Sequence, residues 1–236
     1  MTDNIIKVLG TGTSESTDRF NNSFIIKNWQ GSLLIDCDQE INKALSNQNI
    51  STERVDAIFI TKIDTNSLLG LDVIARESLA KNKKKITLYF HKNIYQEILN
   101  QTVQAQLDIE KEYILNDYFN IQIIEGSEFT CFKNNFSIFE VFDDYKKHSF
   151  GFNMDEKLFY SGTSKAIPNI INNNNFIIGI HDVNINNNLK EIRGEYHDKI
   201  KNKLWLTSFN SENESNRLDV NEDFKGLLRE GQEFKI

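Results

Sequence analysis

Residues 58–71 read IFITKIDTNSLLGL. The apolar run that ends at Thr61 begins near Val55 and predicts a strand over 55–61, buried on both faces of a sheet. Beyond it, Leu68, Leu71, Ile74, Ala75 and Leu79 recur at helical spacing and predict a helix over 68–81. Between the two lies a short polar loop carrying Lys62, Asp64, Asn66 and Ser67. Strand, loop and helix together are a building unit of α/β folds.

The pattern continues on both sides. A strand is predicted over 5–9, followed by a loop punctuated by Gly10 and Gly12 and reaching about residue 22. Segments 23–27 and 32–36 form a hairpin, and 40–47 a short helix with Ile41, Ala44 and Leu45 on one face. After the central unit come a strand over 86–90 and an amphipathic helix over 95–106. The second half is richer in strands, over 121–124, 136–142, 150–154, 158–160, 176–181 and 203–207. A short helix near 223–228 precedes a last edge strand, GQEFKI. No polar or low-complexity stretch separates two folding units. The expected architecture is therefore one α/β domain over 1–236, a four-layer αββα sandwich with two sheets face to face and helices outside.

Composition narrows the function classes. The chain has 236 residues, 39% hydrophobic and 26% charged, enough for a real core and unlike a disordered chain. Its net charge of −7 argues against long-range attraction to nucleic acid or anionic membrane. The lysine runs at 81–85 and 199–203 are expected to be solvated ends of elements. Apolar runs such as 176–180 are too short for a membrane span. The start, MTDNIIKVLG, lacks the order of a signal peptide, so a cytoplasmic protein is expected. Cys37 and Cys131 then read as buried reduced thiols.

In order and spacing, these segments resemble the metallo-β-lactamase superfamily, especially its ribonuclease Z and cyclic-nucleotide phosphodiesterase branch. Residues 58–71 resemble the signature in which a strand ends in Thr, H-x-H-x-D-H follows, and a helix opens. LGTGTSES (9–16) resembles the glycine loop after the first strand, and LLIDCD (33–38) the strand ending in a buried Asp. HSFGF (148–152) resembles the segment after the third-motif histidine. LFYSGTS (158–164) resembles the Y-S-G-D-T turn, IIGIHDVN (177–184) a strand ending in His-Glu, and KLWLTSFNS (203–211) the motif L-T-H-F-S-S.

The resemblance implies a dinuclear metal site, yet its ligand positions carry other chemistry. Lys62 and Asp64 stand at the first two histidines, Asn66 at the aspartate and Ser67 at the last histidine. Thr163 stands at the bridging aspartate and Ser208 at the final histidine. Asp143, Asp144 and Tyr145 lie where the third-motif histidine is expected. His181 and Asp182 nearly match His-Glu. Zinc is held by imidazole, thiolate or carboxylate; Lys62 would set a positive charge in its place. A protein without a metal cofactor and without hydrolase activity is expected, a pseudoenzyme acting by binding.

Lys62, Asn66, Ser67, Thr163 and Ser208 would make a polar cleft suited to a nucleotide or phosphate-type ligand. The resemblance also implies a homodimer or a partner protein. RNA is disfavoured by the acidic charge. The competing reading is a hydrolase using Mg or Mn held by Asp64, Asp143 or Asp144, and Asp182. Asp64 otherwise pairs with Lys62 or caps the following helix, and His181 is otherwise a hydrogen-bonded histidine at a strand end. His91, His148 and His197 lack neighbours of ligand type and are given no role.

Overall fold

The structure is a computed structural model describing residues 3–82, 84–95, 116, 118–142, 147–183, 188–216 and 223–236. Two seven-stranded sheets form it. In the first, β1 (Ile5–Gly10), β2 (Ser23–Asn28) and β3 (Gly31–Ile35) form an antiparallel meander. Parallel pairings then join β3 to β4 (Ala57–Ile60), β5 (Ile86–His91) and β6 (Phe119–Ile124). The second sheet repeats this plan. Antiparallel β7 (Glu128–Cys131), β8 (Asn134–Phe142), β9 (His148–Met154) and β10 (Leu158–Tyr160) lead to parallel β11 (Ile178–Asp182), β12 (Leu204–Thr207) and β13 (Gly226–Leu227). The closing strand β14 (Glu233–Lys235) returns to the first sheet and pairs with β1.

The inner faces meet in an aromatic core. Phe59 packs edge-on to Phe129 at 5.0 Å, Phe24 meets Tyr160 at 5.2 Å, and Phe136 meets Phe152 at 5.3 Å. Such offset ring pairs add to the stabilisation from burial itself. Outside the second sheet, Ile192, Tyr196 and Ile200 come from two helices, α4 (Asn188–Glu195) and the turn after it, and α5 (Asp198–Lys201). They bury Leu204 and Leu206 in a second cluster. Outside the first sheet lie α1 (Ile41–Asn47) and α2 (Thr65–Asn82). Short helices Pro168–Ile171 (α3) and Glu212–Asn216 (α6) lie in the connections after β10 and β12. The four-layer αββα sandwich is the observed architecture, and both cysteines are buried and free.

Three details differ from the sequence reading. Helix α2 starts at Thr65 instead of Leu68, because Asp64 organises a turn ahead of the apolar stripe. The segment near 223–228 is strand β13 and not a helix; Gly226, at φ +147°, sits against the Trp205 ring, a conformation no helix offers. Strand β7 is four residues long and too short to stand out by alternation. The helix expected over 95–106 lies almost wholly outside the described residues.

Neither lysine run forms a basic patch among the described residues. Lys84 pairs with Asp56, and Lys85 donates to the Asn116 carbonyl. Lys201 is buried against Asp198 and the Arg193 carbonyl, and Lys203 donates to the Phe176 carbonyl. No helix among the described residues is long and apolar enough to cross a membrane.

Candidate ligand cleft

In open parallel sheets, ligands bind beyond the carboxyl ends of the strands. Here the parallel halves of both sheets send those ends to one place. Asp36 and Cys37 follow β3, Lys62 and Asp64 follow β4, Thr163 follows β10, Asp182 ends β11 and Ser208 follows β12. All of them line one cleft of about 730 Å³. The two sheets join there directly: Lys62 bridges Ser149 in antiparallel fashion, and Phe150 N–H donates to the Thr61 carbonyl at 2.8 Å.

Of the residues singled out from sequence, Lys62, Asp64, Ser67, Thr163, Asp182 and Ser208 come together in this cleft. Asn66 does not line it, because it sits in the first turn of α2 beside Ser67 and faces another direction. Asp143 and Asp144 lie outside the described residues.

His181 is displaced for a reason of strand geometry. Successive strand residues face opposite sides, so with Asp182 in the cleft, His181 is directed into the outer core, where it is fully buried. Its Nδ1 bonds the Asp182 carbonyl at 2.7 Å and its Nε2 the Tyr196 hydroxyl at 2.7 Å. That hydroxyl also accepts from Ile167 N–H at 2.7 Å. Burial holds the imidazole neutral, with its pKa lowered to about 4 despite the Asp182 carbonyl. His181→Ala is therefore expected to cost about 3 kcal/mol, from a cavity plus an orphaned hydroxyl. Chemical denaturation would measure the loss, and affinity for a cleft ligand should change little.

The floor of the cleft is a hydrogen-bond network. Asp36 has a left-handed backbone at φ 57°, which aims its carboxylate at Thr61. Thr61 N–H donates to one oxygen at 2.7 Å and Thr61 Oγ1 to the other at 2.6 Å. Burial nevertheless pushes the carboxyl up to about 6, against the pull of the Thr61 bonds and of Lys62. Asn22 Nδ2 donates to the Tyr160 hydroxyl at 3.1 Å and Thr207 Oγ1 to Asn22 Oδ1 at 3.1 Å, which ties both sheets together. Ser208 also has a left-handed backbone, φ 74°, and its N–H donates to the Thr11 carbonyl.

Asp64 caps α2. Its Oδ1 accepts from Ser67 N–H at 2.8 Å and from Ser67 Oγ at 3.0 Å, satisfying an orphan donor of the first turn. The alternative pairing with Lys62 is not formed. Lys62 makes no ion pair among the described residues and stands in the cleft beside Asp36.

The fold implies a metal pair, and the donor set does not fit one. Lysine offers an ammonium group without a lone pair, and Ser67, Thr163 and Ser208 offer hydroxyls in place of imidazole or carboxylate. No group of three His, Cys, Asp or Glu able to hold a metal ion exists among the described residues. Each wall carries both signs of charge, with Lys62 on the first-sheet side and Asp182 and Glu191 on the second. Lys147, His148 and Lys165 belong to the β9–β10 side, where Thr163 N–H donates to Ser149 Oγ at 3.1 Å. Asp36, Asp38 and Asp64 belong to the first sheet. Sequence reading missed Lys147 and Lys165, although each lies within three residues of a recognised segment, HSFGF and YSGTS.

This arrangement of sheets and cleft defines a metallo-β-lactamase-fold protein. The structure superposes on a diphosphatase of the PhnP family with a TM-score of 0.73 at 17% identity, covering 100% of this chain and 98% of that one. The metallo-β-lactamase fold protein YhfI from Bacillus subtilis gives 0.72 at 12% identity, covering 100% of both chains. The short form of human tRNase Z gives 0.64 at 15% identity, covering 98% of each. At these identities the likeness is one of fold.

The family is given by sequence: the model for the Anti-Pycsar protein Apyc1 matches residues 5–234, and the chain belongs to that family. The sequence reading did not single out this family; it did single out the fold. An Anti-Pycsar protein Apyc1 from Paenibacillus sp. (strain J14) is 29% identical over 124 residues, 52% of this chain and 51% of its own length. Another, from Bacillus phage BSP38, is 27% identical over 142 residues, 56% of each. The chain thus matches about half the length of these curated relatives.

Proposed function

We propose that this chain is a non-catalytic metallo-β-lactamase-fold protein that captures a phosphate-bearing, nucleotide-type ligand in its cleft. The observation that carries the reading is Lys62. The resemblance sets it at a metal-ligand position; it lines an open cleft and has no ion-pair partner among the described residues. Lys147 and Lys165 line the same cleft from the β9–β10 side. An ammonium beside hydroxyl donors suits a phosphate group. The relatives' name, Anti-Pycsar protein, supplies the biological purpose we extend to this chain: opposing Pycsar, here by binding in place of cleavage. The homodimer implied by the resemblance belongs to this proposal and is read from the mass of the purified protein in solution.

Calorimetry with inorganic phosphate, a 3′,5′-cyclic mononucleotide, a dinucleotide and a short RNA tests the reading. Binding of a nucleotide is expected, with Lys62→Ala weakening it by about tenfold to a hundredfold, the loss of one charge-assisted hydrogen bond. Absence of heat with every probe rejects it. The competing reading, a hydrolase using Mg or Mn, is favoured by Asp64 and Asp182 both reaching the cleft. Product formation with added Mg or Mn that disappears in Asp64→Ala would establish that reading instead.

A further inference from the structure

The mouth of the cleft holds a carboxylate–imidazole pair that the reading above does not use. His148 opens β9 and lines the cleft. Its Nδ1 bonds Glu140 Oε1 on the neighbouring strand β8. The same carboxylate oxygen accepts from Asn93 Nδ2 at 2.8 Å, so it is fixed from two elements. Phe142 closes one side of the His148 ring at 5.5 Å. Both side chains of the pair are about one-third exposed, His148 at 35% and Glu140 at 34%.

A histidine with Nδ1 committed to a carboxylate presents Nε2 as its remaining functional atom. In the imidazolium form Nε2 is a donor, and in the neutral ring an acceptor. Burial pushes Glu140 up, but the bonds from Asn93 and His148 and the charge of His148 outweigh it and hold its carboxyl below the usual range. Among the described residues, the other charged or titratable groups around the pair are His91, whose ring is tilted against Phe150 at 4.3 Å, together with Lys92 and the adjacent Lys147. Lys62 reaches the same wall through its bridge to Ser149.

We propose that His148, positioned by Glu140, is a second cationic contact for the ligand's phosphate, so that ligand capture is linked to protonation of its ring. This rests on the ligand reading above. It identifies the ligand class as one whose anionic group spans from Lys62 to the β8–β9 wall. It also gives His148, which the sequence left without a role, a direct part in binding. Glu140 is a positioning residue that acts through the imidazole.

The test is calorimetry from pH 5.5 to 8.5 with a 3′,5′-cyclic mononucleotide, whose phosphodiester keeps one negative charge across that range. The wild type is expected to bind about tenfold more tightly at pH 5.5 than at 8.5, the worth of one charge-assisted contact. His148→Gln should match the wild type at pH 8.5 and lose the gain at pH 5.5. Glu140→Gln, which removes the carboxylate that orients the ring, should weaken binding at pH 5.5 towards the His148→Gln level while denaturation shows an intact fold. Asp36 also titrates in this window, so the comparison with His148→Gln is decisive. If that variant keeps the full pH dependence while Lys62→Ala weakens binding as expected above, the ligand reading stands and the role of His148 is overturned. If the wild type does not bind this probe at any pH, the role of His148 is overturned as well. In that case the fate of the ligand reading is decided by the other probes.

Discussion

Gly70→Ala is expected to destabilise the protein by about 3 kcal/mol. Gly70 lies in α2, where alanine by propensity would stabilise the helix by about 1 kcal/mol. The environment reverses the sign. A Cβ at this position would lie 2.4 Å from the Asp38 carbonyl oxygen and 2.6 Å from its carbon, and both are backbone atoms. Backbone cannot rotate away as a side chain can, so the helix has to retreat from the β3 loop. For a chain of this size the loss corresponds to a drop in Tm of about 6–12 °C.

The damage would reach the cleft. Asp64 and Ser67, which cap α2, and Asp38, which borders the clash, all line it. Gly194→Ala is the matched control. Gly194 is helical in α4 and a Cβ there would meet nothing within 4 Å. It should be neutral or stabilising by about 0.5–1 kcal/mol. Thermal unfolding of the two variants side by side measures both signs; equal effects would mean that close packing of α2 on Asp38 is unimportant.

The second large effect concerns Asp36→Asn and acid. The folded state raises the Asp36 carboxyl from 3.8 to about 6. Its charged form is thus disfavoured on folding, and wild-type stability falls as pH rises from about 4 through 6. The shift corresponds to about 3 kcal/mol, reduced toward about 2 by the water that the cleft admits. His181 acts in the opposite direction over an overlapping window. Its folded pKa, about 4 against an ordinary 6.5, means that stability is full above about 6.5 and falls as pH drops towards 4.

The two contributions offset each other in the wild type. Asparagine at 36 removes one of them. Its Oδ1 accepts from Thr61 N–H, its Nδ2 donates to Thr61 Oγ1, and it tolerates a left-handed backbone well. Asp36→Asn should therefore be more stable than wild type by about 2 kcal/mol at pH 7.5 and about equal to it at pH 4. Its own stability should fall more steeply on acidification, because the His181 contribution is no longer offset. Denaturant titrations at several pH values check this; a constant difference between the proteins would place the Asp36 carboxyl in its ordinary range.

The largest features of the fold were legible because they depend on local pattern. The run ending at Thr61, the stripe from Leu68 to Ala75 and the hairpin before Asp36 each bury a face set by periodicity within a few residues. Their order along the chain pointed to the metallo-β-lactamase fold that the structure has. Lys62 and Ser208 were singled out from sequence, and the structure places both in the cleft.

Which of these side chains share a space was a different matter, because it depends on contacts between residues far apart in sequence. Strand alternation separated His181 from Asp182. The bridge from Lys62 to Ser149 brought Lys147, His148 and Lys165 to the same cleft as the central loop. The Asp64 cap used a carboxylate that sequence would equally have assigned to Lys62. The raised pKa of Asp36 arises only once two sheets close over it, since desolvation is a property of the packed state. Local periodicity was sufficient for the elements and their order; the chemistry of the cleft follows from the tertiary structure, where exclusion of water decides which groups stay charged and which find partners.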